Sequence, residues 1–282
     1  MLMKETTYNF LIVGLPEAGK TSFIYAVDEL LQNPPSKEAL RGYALASDRS
    51  YLEQDKWKYR AGKKFEHTPR KIQGAPPELL FEHVASGLRG RLFLPDVNGE
   101  VFQDQWIDRK WAESYGEDLR NIDGVLLFMR SDKPSTNQEL LGAMANLLPN
   151  GRKGTTFDPK KASPQVQLVE VLQFIAVEGQ ISRPQKVAVL ISAWDTVEKP
   201  QNLQPKNPAA FLAREWPLLD QYLRSNPETF RAKIYGVSAL GGTEQELKEL
   251  SKLPPQDRVK IVEDGAESQD LTRPLRWLLG MD

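Results

Sequence analysis

Cysteine is absent from the 282 residues of this chain, which excludes a disulfide scaffold, a thiol nucleophile and a zinc–thiolate site. Histidine is nearly absent, since His67 and His83 are the only two, and this leaves little material for a metal site or a Ser/His relay. No apolar run reaches the roughly 20 residues that cross a bilayer, and FLIVGL from Phe10 is too short for a signal core. We therefore expect a cytoplasmic protein that is not inserted in a membrane.

The formal net charge is only −1. Lysine and arginine number 37 against 38 aspartates and glutamates, so no general field attracts nucleic acid or anionic lipid. Any polyanion that binds must be held by a local site. The hydrophobic share of 40% and the charged share of 27% are close to those of globular proteins, which predicts a folded chain with a sizeable core.

Apolar runs followed by turn residues predict buried strands at 8–14, 91–96, 124–130, 186–194 and 233–239. A further strand at 78–84 is predicted to form a hairpin with 91–96 through the turn around Ser86 to Gly90. Helical patterns lie at 21–31, 105–119, 165–177, 209–222 and 271–279. This alternation predicts a doubly wound α/β three-layer sandwich, whose six-stranded sheet is mostly parallel with one antiparallel strand.

Three segments interrupt the alternation at about 32–77, 131–164 and 241–268. They are predicted to be loops or partly helical insertions, and long loops of this kind often carry function. With no internal repeat, the favoured organisation is one domain over 1–282.

The sequence GLPEAGKT at 14–21 satisfies the phosphate-loop pattern G-x-x-x-x-G-K-[ST] between a predicted strand and a predicted helix. Inward-facing amides and the positive end of the helix favour phosphate, Lys20 would reach the β- and γ-phosphates, and the Thr21 hydroxyl would bind Mg²⁺. The alternative is an ordinary strand-to-helix turn with a solvated lysine. The predicted binding residues are Gly14, Leu15, Pro16, Glu17, Ala18, Gly19, Lys20, Thr21 and Ser22.

Two later strand ends complete a candidate nucleotide site. In LPDVNGE, Asp96 is predicted to hold Mg²⁺ and the Gly99 amide to meet the γ-phosphate, although a turn with a capping aspartate is the alternative. In SAWD, the Asp195 carboxylate can accept both donors of a guanine edge. Ser238 and Ala239 of YGVSA leave the last strand, where a backbone N–H is predicted to contact the guanine oxygen. The alternative for Asp195 is a helix cap.

Taken in order, GLPEAGKT, DVNG, SAWD and VSA resemble the motifs of P-loop GTPases of the translation-factor and Ras-like class. The loop form with Pro16 is similar to that of Era- and Obg-type GTPases. The long segment before DVNG, SAWD itself and the ending RPLRWLLG are similar to bacterial double-GTPase-type domains, which occur near conflict and signalling systems. The resemblance implies a Ras-like fold with insertions, GTP or GDP and Mg²⁺ as ligands, and hydrolysis of GTP to GDP and phosphate.

The chain departs from this class at several positions. Ser192 and Ala193 stand where the class usually has asparagine and lysine. Ser192 can still donate one hydrogen bond to the nucleotide, but Ala193 cannot cover the base as lysine does, so guanine preference rests on Asp195. Trp194 either covers the base or packs in the core. Glu100 stands where relatives carry a water-orienting glutamine, and a carboxylate beside the γ-phosphate predicts slow hydrolysis.

The catalytic residues implied are Glu100, Lys20 and Thr68, the last of which would also bind Mg²⁺ with Thr21 and Asp96. A solvated loop threonine is the alternative for Thr68. Arg60, Arg70 and Arg89 are candidates for an arginine finger by region alone.

The function predicted is a GTP-binding molecular switch with a protein effector or activating partner, and homodimerisation across the nucleotide is a reasonable expectation for the class. Nucleic-acid binding is not expected, since the basic residues near Thr68 are typical of a solvated face. Two alternatives stay open: a P-loop ATPase or kinase acting on a small molecule, and a nucleotide-locked scaffold with negligible hydrolysis.

Overall fold

The computed structural model describes residues 7–34, 39–43, 50–61, 78–94, 119–132, 162–179, 183–199, 206–242 and 246–281. Within these ranges nine strands form one sheet. The strands are β1 Thr7–Gly14, β2 Leu40–Gly42, β3 Glu78–His83, β4 Leu88–Phe93, β5 Gly124–Arg130, β6 Gln185–Ser192, β7 Phe230–Ser238, β8 Lys260–Glu263 and β9 Ala266–Ser268.

Nine helices are present in the described ranges. Their bounds are α1 Lys20–Gln32, α2 Ser50–Arg60, α3 Pro164–Glu178, α4 Trp194–Glu198, α5 Pro208–Glu215, α6 Pro217–Ser225, α7 Leu247–Leu250, α8 Pro255–Arg258 and α9 Arg273–Leu279. In the described part of the chain, no helix combines the length and the apolar character that a bilayer crossing requires.

The sheet order is β2-β3-β4-β1-β5-β6-β7-β8-β9. The central strands β4, β1, β5, β6 and β7 run parallel, which confirms the predicted α/β class. The prediction of six strands with one antiparallel was wrong, because β2 and β3 at one margin and β8 and β9 at the other all add in antiparallel pairings. The predicted β3–β4 hairpin is present, with Gly87 at φ 69° in its turn.

Side chains of the central strands alternate between two cores, one on each face of the sheet. In β1, Phe10 and Ile12 belong to the core shared with α1 and α9, whereas Leu11 and Val13 belong to the core shared with α3, α5 and α6. Apolar residues on both faces are expected when helices cover both sides of a parallel sheet. The three-layer arrangement was therefore readable from the continuous apolar runs.

The helical pattern at 209–222 forms two helices in the structure, where one was predicted. α5 ends at Glu215 and α6 begins at Pro217, with Trp216 between them at φ −130° and ψ 53°. Proline lacks an amide hydrogen and disfavours helical backbone at the residue before it, which explains the break. The 2% exposed Trp216 anchors the junction in the core.

The segment after α1 docks through α2 onto the rest of the molecule. The buried Lys56 ammonium donates to the Asp28 carboxylate at 2.8 Å, so α2 is held against α1. The fully buried Tyr59 donates its hydroxyl to the Ala239 carbonyl at 3.0 Å. From α8, Arg258 donates to the carbonyls of Arg60 and Tyr59. The segments predicted as insertions at 32–77 and 241–268 are therefore joined to each other.

Candidate nucleotide-binding site

The phosphate-loop pattern forms a tight turn at the carboxyl end of β1. A Cβ atom at Gly14 would lie 2.6 Å from the Phe128 carbonyl oxygen, and one at Gly19 would lie 2.9 Å from the Ser192 hydroxyl oxygen. Both glycines have positive φ, 150° and 90°. Glycine is therefore required at both ends of the turn, because a side chain at either position would clash with Phe128 of β5 or Ser192 of β6.

Lys20, the first residue of α1, lies back across this turn. Its ammonium donates to the Gly14 carbonyl at 2.6 Å and to the Leu15 carbonyl at 3.0 Å, and the residue is only 3% exposed. Thr21 and Ser22 follow in the first turn of the helix and are half-buried. A lysine ammonium at the positive end of a helix is a combination that stabilises a bound anion.

The two motifs at the ends of β6 and β7 meet in the structure. The Asp195 amide donates to the Ser238 hydroxyl oxygen at 2.8 Å, although the two residues are 43 positions apart. Burial raises the pKa of the Asp195 carboxyl, while a hydrogen bond from Ser238 opposes that rise. Because β6 and β7 are parallel neighbours, their carboxyl ends place this acid and hydroxyl together, with Ala239 next in the chain.

A serine that the sequence reasoning missed stabilises the backbone before Asp195. Ala193 has left-handed backbone at φ 53°, and its carbonyl accepts hydrogen bonds from the Ser131 hydroxyl at 2.7 Å and the Thr196 hydroxyl at 2.8 Å. The Ser131 amide also donates to the Ser192 carbonyl at 3.1 Å. Ser131 directly follows a buried strand, the same signal that had selected Asp96.

The indole of Trp194 lies in the core. The residue has no exposed surface, and its ring contacts that of Phe211 edge-on at 5.4 Å between centroids. A Cβ atom at Gly236 would lie 2.3 Å from the indole, so β7 needs glycine there. Of the two alternatives for Trp194, packing and base covering, the structure shows packing of the side chain.

The phosphate-loop turn and the SAWD segment therefore contact each other through Gly19 and Ser192, and SAWD contacts β7 through Ser238. Arg130, the last residue of β5, also reaches the turn and was not singled out from the sequence.

Of the arginine-finger candidates, Arg60 binds Glu29 at 2.9 Å in α1. Arg89 pairs with Thr7 at the amino end of β1, whereas the turn follows the carboxyl end of that strand.

Several predicted positions lie outside the described residues: Thr68, Arg70, Asp96, Gly99, Glu100 and the helix over 105–119 except its last residue. Within the described ranges no group of three or more histidines and carboxylates is arranged to hold a metal ion. The described residues fit a phosphate group. The turn runs between two positions that require glycine, Gly14 and Gly19, and the buried Lys20 ammonium lies directly against it.

Comparison with known proteins gave one family. A family model described as Double-GTPase 1 matches residues 11–278. Among solved structures, the chain is similar to the crystal structure of bacterial selenocysteine-specific elongation factor EF-Sec, with a TM-score of 0.40 and 11% identity. That similarity covers 88% of this chain and 28% of that chain. No curated protein sequence matches.

Proposed function

Since the chain belongs to the Double-GTPase 1 family, a membership that implies GTP binding, we propose that it is a molecular switch that binds GTP with Mg²⁺ and hydrolyses it slowly. The observation that supports this most directly is the assembly of three separate motifs at one edge of the sheet. The loop at Gly19 touches Ser192, and Asp195 contacts Ser238. Ligands of open α/β sheets bind at the carboxyl ends of the strands, which is the edge concerned.

The phosphate end of the proposed site consists of the turn from Gly14 to Gly19 and Lys20. Amides of the turn and of the first turn of α1 would hold phosphate oxygens. The Lys20 ammonium, which now donates to two loop carbonyls, would turn toward the β- and γ-phosphates. This exchange replaces neutral acceptors by charged ones, and hydrogen bonds to charged groups are roughly twice as strong.

The base end would be recognised by Asp195. A carboxylate accepts from both the N1–H and the amino group of guanine, whereas adenine offers no such pair of donors. The Ser238 hydroxyl orients Asp195 by accepting from its backbone amide at 2.8 Å. The amide of Ala239, the next residue in the chain, would donate to the guanine oxygen. The absence of the usual asparagine and lysine leaves this acid as the main determinant of selectivity.

Mg²⁺ would be held by the Thr21 hydroxyl together with Thr68 and Asp96, and the ion would offset the charge of the phosphates. Gly99 would contact the γ-phosphate and Glu100 would lie near the attacking water. A glutamate in that place repels the phosphate charge, so we expect slow turnover without a partner that supplies an arginine. An effector, a homodimer across the nucleotide and a role in bacterial signalling or conflict stay predictions from the family resemblance.

Competition for a fluorescent GDP tests the proposed selectivity. We expect GTP and GDP to displace the probe at least about a hundredfold more effectively than ATP, because an unpaired buried acceptor costs roughly 1–3 kcal/mol or more when charged. Asp195→Asn should weaken GTP binding and favour xanthosine nucleotides, whose base presents the complementary acceptor. Displacement by ATP equal to that by GTP would reject guanine selection.

Asp220→Asn is the matched control, since Asp220 lies on α6 and binds Arg224 there. This variant should leave the nucleotide preference unchanged. Single-turnover hydrolysis of bound GTP then separates the switch from the scaffold alternative. A slow, Mg²⁺-dependent release of phosphate supports the switch, and no release over hours would support a nucleotide-locked scaffold.

A further inference from the structure

Arg130 lies at the end of β5, the strand next to β1. Its guanidinium forms a two-point pair with Asp132, with Nε to Oδ1 at 2.6 Å and Nη2 to Oδ2 at 2.5 Å. The remaining Nη1 donates a long hydrogen bond of 3.4 Å to the carbonyl oxygen of Glu17. Arg130 therefore connects the neighbouring strand to the middle of the phosphate-loop turn.

Glu17 needs such a support because of its backbone. Its φ of 60° is left-handed, a conformation that is less favourable for a residue with a side chain than for glycine. It also places an exposed carboxylate in the turn, where a bound polyphosphate would repel it. Position 17 thus combines an unfavourable backbone conformation with an unfavourable charge. Its carbonyl accepts from the Arg130 guanidinium, and its carboxylate interacts electrostatically with the same group.

The charges around Arg130 fit this role. Asp132 pairs with it directly, and the carboxylates of Glu17 and Asp195 lie near enough to favour its charged form. The pKa of Arg130 is raised, chiefly by the hydrogen bond with Asp132. Asp132 fixes the plane of the guanidinium, since a two-point arginine–carboxylate pair restricts orientation as well as distance. The third donor direction is then the one aimed at the turn.

We propose that Arg130 is a positioning residue of the phosphate loop: it holds the left-handed Glu17 peptide and offsets the Glu17 carboxylate, and so slows the release of bound nucleotide. This inference rests on the proposed function. In this role Arg130 acts through the loop, so its effect should depend on which residue stands at position 17.

The test is a cycle of variants read by the dissociation rate of fluorescent GDP. Arg130→Ala should release GDP about five- to tenfold faster, as expected for the loss of a charge-assisted contact that is partly exposed. Glu17→Gly removes both the strain and the charge, so adding Arg130→Ala to it should change the rate by less than about twofold. Arg130→Lys should lie between, because lysine keeps the charge without the fork.

Arg183→Ala is the control. Arg183 also pairs with an aspartate, Asp123 at 3.2 Å, but at the amino ends of β5 and β6, away from the phosphate loop. It should leave the rate unchanged, and thermal unfolding should show that Arg130→Ala folds normally. The inference is overturned by an unchanged rate in Arg130→Ala, or by an effect of equal size in the Glu17→Gly background. Failure of the unaltered protein to bind guanine nucleotide would reject the proposed function instead.

Discussion

The protonation of Asp195 should govern how nucleotide affinity depends on pH. Burial raises the pKa of this carboxyl above its usual range, and guanine donors bind the ionised form. When Asp195 is protonated in the free protein, nucleotide binding must therefore release that proton. We expect the affinity for GDP to increase as pH rises through the raised pKa and to level off above it, and calorimetric titration across pH 4 to 8 measures this.

Two variants sharpen this prediction. Ser238→Ala removes the hydrogen bond that opposes the rise in pKa, so its affinity curve should move to higher pH. Asp195→Asn should remove the dependence. Without nucleotide the folded state holds the Asp195 proton more tightly than the unfolded state, so that stability contribution is present at low pH and is lost as pH rises through the raised pKa. An affinity that falls with pH would contradict the assignment.

At the residue scale, the sequence predicted best where a motif has a fixed spacing and a strand before it. Gly14, Gly19 and Lys20 form the expected strand–turn–helix unit. Asp195 and Ser238 follow neighbouring strand ends and contact each other, a contact that the sequence did not predict. Arg130 and Ser131 were missed because their roles depend on which strand lies between β1 and β6. That neighbour is set by sheet order, which no local pattern contains.

At the element scale, Tyr59 connects α2 to the loop after β7. Replacing Tyr59 by phenylalanine leaves the part-buried Ala239 carbonyl without the 3.0 Å hydrogen bond from the hydroxyl. A partly shielded acceptor that loses its donor costs about 1 kcal/mol, the lower end of the range for buried acceptors. We expect Tyr59→Phe to lower the free energy of unfolding by that amount in urea titration.

Tyr222→Phe is the control for this prediction. Tyr222 packs against Phe230 with its ring, and its hydroxyl has no hydrogen-bond partner among the described residues. Its loss should change the unfolding free energy by less than about 0.5 kcal/mol. Equal effects of the two variants would show that the Tyr59 hydroxyl contributes nothing specific.

The helices α5 and α6 were predicted as a single helix, and the sequence explains the error. The apolar spacing across 209–222 is continuous, and periodicity registers the buried face without registering a change of axis. Pro217 was the available signal, because the residue before a proline avoids helical backbone. A single proline therefore divides a helical pattern that extends over fourteen residues, 209 through 222.

At the scale of the whole molecule, the parallel centre of the sheet and the β3–β4 hairpin were predictable, whereas the outer strands β2, β8 and β9 were not. Five long apolar runs identify the centre, since a strand buried on both faces has no room for polar residues. The strands β2, β8 and β9 have only three or four residues each. A period of two cannot be recognised over so few positions, and these strands form because a longer neighbour offers its hydrogen bonds.

The short outer strands offer little to a second copy of the chain. The outermost described strands, β2 and β9, each present three residues, two of which in each are exposed. Three residues give too few free backbone groups for stable strand addition from another molecule. The dimer proposed above lies across the nucleotide instead, so its strength should respond to the phosphates. Sedimentation with a non-hydrolysable GTP analogue and with GDP compares the two cases, and a dimer of equal strength in both would point to some other surface.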